Sequence, residues 1–114
     1  MTVAIAGIGT AAPEHLIEQN DAAEQAAKIC CQTAVQQRLV RSLYRRAGVR
    51  TRHSVVLDSD TNGRPAEQSF YTRSAQGPST AERMEAYEKH AAPLAVAAAR
   101  EALENSDVTA AEIG

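Results

Sequence analysis

Val3-Ala4-Ile5-Ala6-Gly7-Ile8-Gly9-Thr10-Ala11-Ala12-Pro13 opens the chain, and its reading decides the fold class. Val3 to Ile8 is apolar throughout and includes Val and Ile. An uninterrupted apolar run of this length suits a strand buried on both faces, as in a layered α/β protein. Gly7 and Gly9 then allow a turn or a close approach to another backbone. Thr10 to His15, broken by Pro13, reads as a loop.

The rest of the sequence reads as mostly helical. Asn20-Asp21 is a helix start, with Glu24 three residues after Asp21 in a capping-box spacing. That helix is expected to pass through Ala22, Ala23, Ala26, Ala27 and Cys30. A second helix is predicted from about Val35 to Ala47, stopped by Gly48. At 100° per residue, Leu39, Val40, Leu43, Tyr44 and Ala47 share a broad face expected to dock on the core. Arg38, Arg41 and Arg45 fall opposite, with Arg46 at the boundary. Val49 to Leu57 is β-prone and reads as a strand or extended segment. Asp58 to Pro78 is polar, contains the turn signal Asn62-Gly63, and reads as a long loop. Ser79 opens a third helix, with Glu82 completing a capping box. Met84, Tyr87, Ala91, Leu94 and Ala98 form one apolar stripe along it. Pro93 lies inside and is expected to kink it, and the helix should end near Asn105. Asp107 to Gly114 reads as a loop.

Composition bounds the function. The 114 residues are one domain or part of one, 44% hydrophobic and 23% charged, as in a soluble globular protein. Alanine supplies much of the apolar content. There is no Trp and a single Phe, which is thin material for an independent core. The net charge of −2 argues neither for nor against nucleic acid. No apolar run approaches the roughly 20 residues of a membrane span. Met1 leads into Thr2-Val3-Ala4 without a basic leader. Adjacent Cys30 and Cys31 are poorly placed to bridge each other, so a reducing, cytoplasmic setting is expected.

Three features carry possible chemistry. Gly7-Ile8-Gly9-Thr10-Ala11-Ala12 has the form of a dinucleotide-binding turn, but Pro13 follows where a helix should already run. Tight packing is the plainer reading of these glycines. Arg38, Arg41, Arg45, Arg46, Arg50 and Arg52 are half of the 12 basic residues and lie in a stretch with no acid. That stretch carries +6 and the remainder −8. Guanidinium groups suit bidentate phosphate recognition, while a solvated helix face is the plainer alternative. The acidic remainder, poor in aromatic residues, argues against nucleic acid. Cys30 and Cys31 have no basic neighbour closer in sequence than Lys28, so buried, alanine-like packing is expected rather than a reactive thiolate. His15, His53 and His90 follow no metal-ligand spacing, so no metal is predicted, and His53 reads as structural.

Three stretches together resemble the type III polyketide synthases, the chalcone/stilbene synthase family. The first is Gly7-Ile8-Gly9-Thr10-Ala11-Ala12-Pro13 followed by Gln19-Asn20-Asp21. The second is Leu43-Tyr44-Arg45-Arg46-Ala47-Gly48-Val49-Arg50-Thr51-Arg52-His53. The third is the helix opening at Ser79-Thr80-Ala81-Glu82-Arg83-Met84-Glu85-Ala86-Tyr87-Glu88-Lys89-His90-Ala91, with a proline near its middle. The resemblance covers nearly the whole chain in one order. It implies that residues 1–114 are the N-terminal part of a thiolase-like fold, without the catalytic region.

The same resemblance implies a parent acyltransferase, a homodimer, that condenses an acyl-CoA starter with malonyl-CoA. It implies no acyl carrier protein, nucleic acid or membrane partner, and no cofactor beyond the CoA thioesters. The family's catalytic Cys-His-Asn set is matched by no residue here, so no catalytic residue is assigned. The carry-over is the basic site for the CoA phosphates. Arg46 aligns with one of its basic residues. Leu39 and Ser42 stand at the other two, beside Arg38 and Arg41. Arg50 aligns with an arginine that contacts CoA in the related ketoacyl synthase III enzymes, which Arg46-Ala47-Gly48-Val49-Arg50-Thr51-Arg52-His53 also resembles. The candidate CoA-binding residues are therefore Arg46, Arg50, Arg41 and Arg38. The alternative within the same class is a fragment of a ketoacyl synthase III-type thiolase-fold acyltransferase; readings from other classes are a dinucleotide-binding module and a helical interaction module.

Overall fold

The computed structural model describes residues 1–58, 66–72 and 77–113. The chain divides into two compact units, one of residues 13–86 and the other of residues 1–12 with 87–114. Most of the predicted polar loop, including Asn62-Gly63, lies outside the described residues.

Among the described residues, the unit of residues 13–86 is built on two short strands, two helices and the start of a third. Strand β1 (Leu16–Glu18) pairs antiparallel with β2 (Thr51–His53), in the register Leu16 to His53, Ile17 to Arg52 and Glu18 to Thr51. The ladder continues at both ends, through Gln19 N–H to the Arg50 carbonyl (2.8 Å) and Ser54 N–H to the His15 carbonyl (3.2 Å). β2 falls within the predicted extended segment. β1 lies beyond the predicted loop, where Leu16-Ile17 is too short an apolar run to signal a strand by itself.

Helix α1 (Gln19–Cys30) begins directly where β1 ends. Its N-cap is Glu18, with no side-chain cap bond, so the predicted Asp21–Glu24 capping box does not form. Glu24 is drawn to Arg41 instead. Helix α2 (Ala34–Arg46) has a complete capping box, in which Gln36 N–H donates to Thr33 Oγ1 and Thr33 N–H to Gln36 Oε1. Gly48, with φ of 69°, ends the helix as predicted; that left-handed backbone is open to glycine at little cost.

In α1, Ala23 and Ala27 are buried, and α1 packs on α2. Methyl groups are small, so the apolar strip they can cover is narrow. Val40 and Tyr44 of α2 are half-buried. Leu39 and Leu43 remain 59% and 58% exposed, and Ala47 is exposed. The expectation that all five share one docked face is thus corrected. A small core of Ile17, Leu57 and Ala66, with Ala22 against it, completes the unit.

Residues 1–12 and 87–113 form the other unit. The predicted buried strand Val3–Ile8 is not one: no strand is assigned there, and Val3 and Ile5 are 89% and 81% exposed. The reason is topological. A strand needs neighbours to satisfy its backbone, and among the described residues none lies beside it. The segment instead runs along helix α3 (Thr80–Glu104), within the part of that helix that belongs to this unit. A Cβ on Gly7 would collide with the Ala102 carbonyl and Ser106, and one on Gly9 with the Ala98 carbonyl and the Ala102 amide. These two glycines let backbone lie directly on helix. Thr10 N–H and hydroxyl donate to the Glu101 carboxylate, and Asn105 Nδ2 donates to the Ile8 carbonyl (3.1 Å).

α3 starts where predicted. Ser79 N–H donates to Glu82 Oε2 (2.7 Å) and Glu82 N–H to Ser79 Oγ (3.2 Å). These bonds hold the Glu82 carboxyl below its ordinary range. The helix carries Pro93 inside it and ends at Glu104. A short 3-10 turn, Ala110–Glu112, follows in place of plain loop. The described residues are therefore mostly helical, with one two-stranded antiparallel sheet among them.

Candidate functional site

The end of α2 and the connection to β2 bring the cationic residues together in sequence and in one unit. α2 contains four arginines and no acid, and Arg45 and Arg46 fill its last turn. Cations there complement the negative end of the helix dipole, which explains why the helix tolerates them. The side chains of Arg38, Arg45, Arg46 and Arg50 belong to exposed residues and make no hydrogen bond or ion pair with another described residue.

The other two guanidinium groups are occupied. Arg41 makes a bidentate pair with Glu24, Nε to Oε1 at 2.6 Å and a terminal nitrogen to Oε2 at 2.9 Å. The hydrogen bond lowers the Glu24 pKa and raises that of Arg41. Both side chains remain substantially exposed, so water screens the pair. Arg52 donates from Nε to Gln19 Oε1 (2.7 Å), and its guanidinium stacks 5.1 Å from the Tyr44 ring centroid. Of the four candidate residues, Arg38, Arg46 and Arg50 thus face solvent unpaired among the described residues, and Arg41 is held by α1.

Sequence reasoning missed Gln19 as a member of this region. It is 7% exposed, the only buried polar side chain among the described residues. Its side-chain amide donates to the Tyr44 carbonyl (2.8 Å) while its oxygen accepts from Arg52. The available signal was its place: a glutamine two residues after the apolar pair Leu16-Ile17, at the start of an otherwise alanine-rich helix.

The remaining candidates fall to structural roles. Cys31 is buried, whereas Cys30 is exposed, which corrects the expectation that both are buried. Cys30 lines an apolar hollow of about 290 Å³ together with Ile17, Ile29, Tyr44 and Tyr71. His53 Nδ1 donates to the Pro13 carbonyl (2.7 Å), a structural contact as expected. Among the described residues, no three His, Cys, Asp or Glu side chains are grouped to hold a metal ion. No described helix is long and apolar enough to cross a membrane. Gly7 and Gly9 do not precede a helix N-terminus, since the first helix begins at Gln19. The sheet is antiparallel, and a dinucleotide turn needs a parallel βαβ unit.

Comparison with known proteins gives the cationic end a context. The chain is 31% identical over 110 residues to the alpha-pyrone synthesis polyketide synthase-like Pks18 of Mycobacterium tuberculosis strain CDC 1551 / Oshkosh. The proteins of the same description from strain ATCC 25618 / H37Rv and from Mycobacterium bovis match to the same extent. The chain is similar to polyketide synthases. Each match covers 96% of this chain but 26% of the relative, so the chain spans about a quarter of the length of the curated relatives it matches. No protein-family model matches it. No solved structure matches it either.

Proposed function

We propose that this chain is the N-terminal part of a type III polyketide synthase with a thiolase-like fold, and that Arg46, Arg50 and Arg38 grip the phosphates of coenzyme A. The parent enzyme would be a cytoplasmic homodimer that condenses an acyl-CoA starter with malonyl-CoA, without an acyl carrier protein. Its Cys-His-Asn set would lie outside residues 1–114, so these residues alone would bind but not turn over. The carrying observation is the unpaired cationic surface at the end of α2, in a chain similar to polyketide synthases along nearly its whole length.

The energetics decide how many arginines the site needs. A helix C-terminus disfavours an anion by about 0.3–1 kcal/mol. One charge-assisted hydrogen bond returns about 1.5–3 kcal/mol. A single arginine therefore leaves a net gain of only about 0.5–2.7 kcal/mol after the dipole, and two or three are needed for selective grip. Arg41 is the weakest contributor, because a phosphate would have to displace the Glu24 carboxylate.

Calorimetric titration with CoA, dephospho-CoA and NAD tests the reading. CoA should bind most tightly. Loss of its 3′-phosphate should weaken binding about tenfold, the loss of one such contact. NAD should not compete. Equal affinity for all three, or a CoA affinity untouched by Arg46→Ala, would refute it.

A further inference from the structure

Gln19 clamps the segment that carries the unpaired arginines. Its side-chain Nε2 donates to the Tyr44 carbonyl, in the last turn of α2 just before Arg45 and Arg46. Its backbone N–H donates to the Arg50 carbonyl, at the far end of the Ala47–Arg50 connection. Its Oε1 accepts from Arg52 Nε and holds that guanidinium against the Tyr44 ring. One buried residue thus fixes both ends of a connection that has no secondary structure of its own between α2 and β2. Within that connection Gly48 sits in the left-handed region at φ of 69°, and glycine by itself restrains the backbone least of all residues. We infer that Gln19 is a positioning residue for the phosphate-binding arginines: it presets the spacing of Arg46 and Arg50 and withholds Arg52 from the ligand.

The inference rests on the coenzyme reading for its ligand, but the clamp has a readout of its own. A ligand that needs two guanidiniums at once binds well only if their spacing is set beforehand, because ordering a loose connection on binding costs affinity. The burial of Gln19 also explains why an amide is used. An amide donates to Tyr44 and accepts from Arg52 at once, whereas a carboxylate offers no donor to the Tyr44 carbonyl.

The test uses the nitrogen-15-labelled chain with Gln19→Met, which keeps side-chain volume but removes both side-chain bonds, and with Gln19→Glu. In the wild type, the Arg52 Nε–H should exchange slowly with water. In Gln19→Met that protection should be lost, amide exchange over 47–50 should quicken, and the Ala23 and Ala27 amides should stay protected. CoA affinity should fall about tenfold, as for loss of one charge-assisted contact, and adding Arg46→Ala should then cost much less than it does alone. Gln19→Glu should keep the Arg52 signal yet loosen 47–50, and it carries the test if Gln19→Met does not fold. Unchanged exchange over 47–50 in both variants would overturn the clamp, whether or not CoA binds. Loosened exchange with an unchanged CoA affinity would overturn the positioning role while leaving the arginine site standing. Failure of the wild type to bind CoA would count against the coenzyme reading and so refute a positioning role for it, and the exchange data would still decide the clamp.

Discussion

The two units of this chain solve the same problem, ordering a polypeptide poor in large side chains, by opposite means. In residues 13–86 the contacts are polar and specific: Gln19 spans α2, the connection and β2, and Arg41 ties α2 to α1. In the unit of residues 1–12 and 87–113, the main device is the absence of side chains. Gly7 and Gly9 lie on the backbone of α3, with Thr10 and Asn105 supplying the few hydrogen bonds. Side-chain bonds fix where charges sit, so a functional surface can be mounted on them. Glycine-on-helix contact fixes only proximity, and it leaves Val3, Ile5 and Ile8 exposed. The contrast predicts different sensitivities.

The largest effect should come from Gly9→Val. Its branched side chain would meet the backbone of Ala98 and Ala102, which cannot yield as a flexible side chain would. Overpacking of this kind costs typically about 1–3 kcal/mol, and the rigid partner puts this case at about 3. Amide exchange over residues 5–10 should quicken, while the amides of α1 and α2 keep their protection. Equal loosening of both units would break the distinction between them.

Next, Arg46→Ala should leave thermal stability nearly unchanged, because its side chain supports nothing among the described residues. Its effect belongs to the ligand. In a longer synthase carrying this segment, the KM for malonyl-CoA should rise more than kcat falls, since phosphate contacts are made alike in ground and transition states. About a tenfold rise corresponds to one charge-assisted contact. An unchanged KM would count against the assignment.

How much of this was legible in the sequence follows from the range of the interactions. Ser79 and Glu82, three residues apart, fix the start of α3 by themselves, and Gly48 stops α2 by itself; both were readable. The Thr33–Gln36 box was equally local, and its spacing is plain in retrospect. Val3–Ile8 was misread because a strand is defined by what lies beside it, not by its own composition. The arginine cluster was visible, but its division was not. That Arg41 is held and Arg46 is free depends on Glu24, 17 residues before Arg41. The split face of α2 likewise depends on how narrow a strip Ala23 and Ala27 can cover.

A smaller effect should follow from Ser79→Ala, which removes the acceptor for the Glu82 amide. Loss of such a cap costs about 1 kcal/mol. The Glu82 pKa should then move back up toward its ordinary range, which carboxyl NMR shifts during a pH titration would report. Smallest of all should be the screened Arg41–Glu24 pair. Because folding lowers the Glu24 pKa, its stabilisation is present above the ordinary carboxylate range and disappears as pH falls through the lowered value. Gln at position 24 should remove that part of the acid sensitivity and change little near neutral pH. A large loss at neutral pH would mean that the pair, rather than the alanine packing, holds α1 to α2.

The central claim is that guanidiniums left unpaired by the fold take up the coenzyme's phosphates. Following the arginine Nε–H resonances during a CoA titration tests it most directly. Arg46 and Arg50 should shift together and saturate, with Arg38 following, while Arg52 stays fixed under Gln19 and Arg41 stays with Glu24. Equal, salt-sensitive drift of all the arginines, or saturable shifts confined to Arg41 and Arg52, would contradict it.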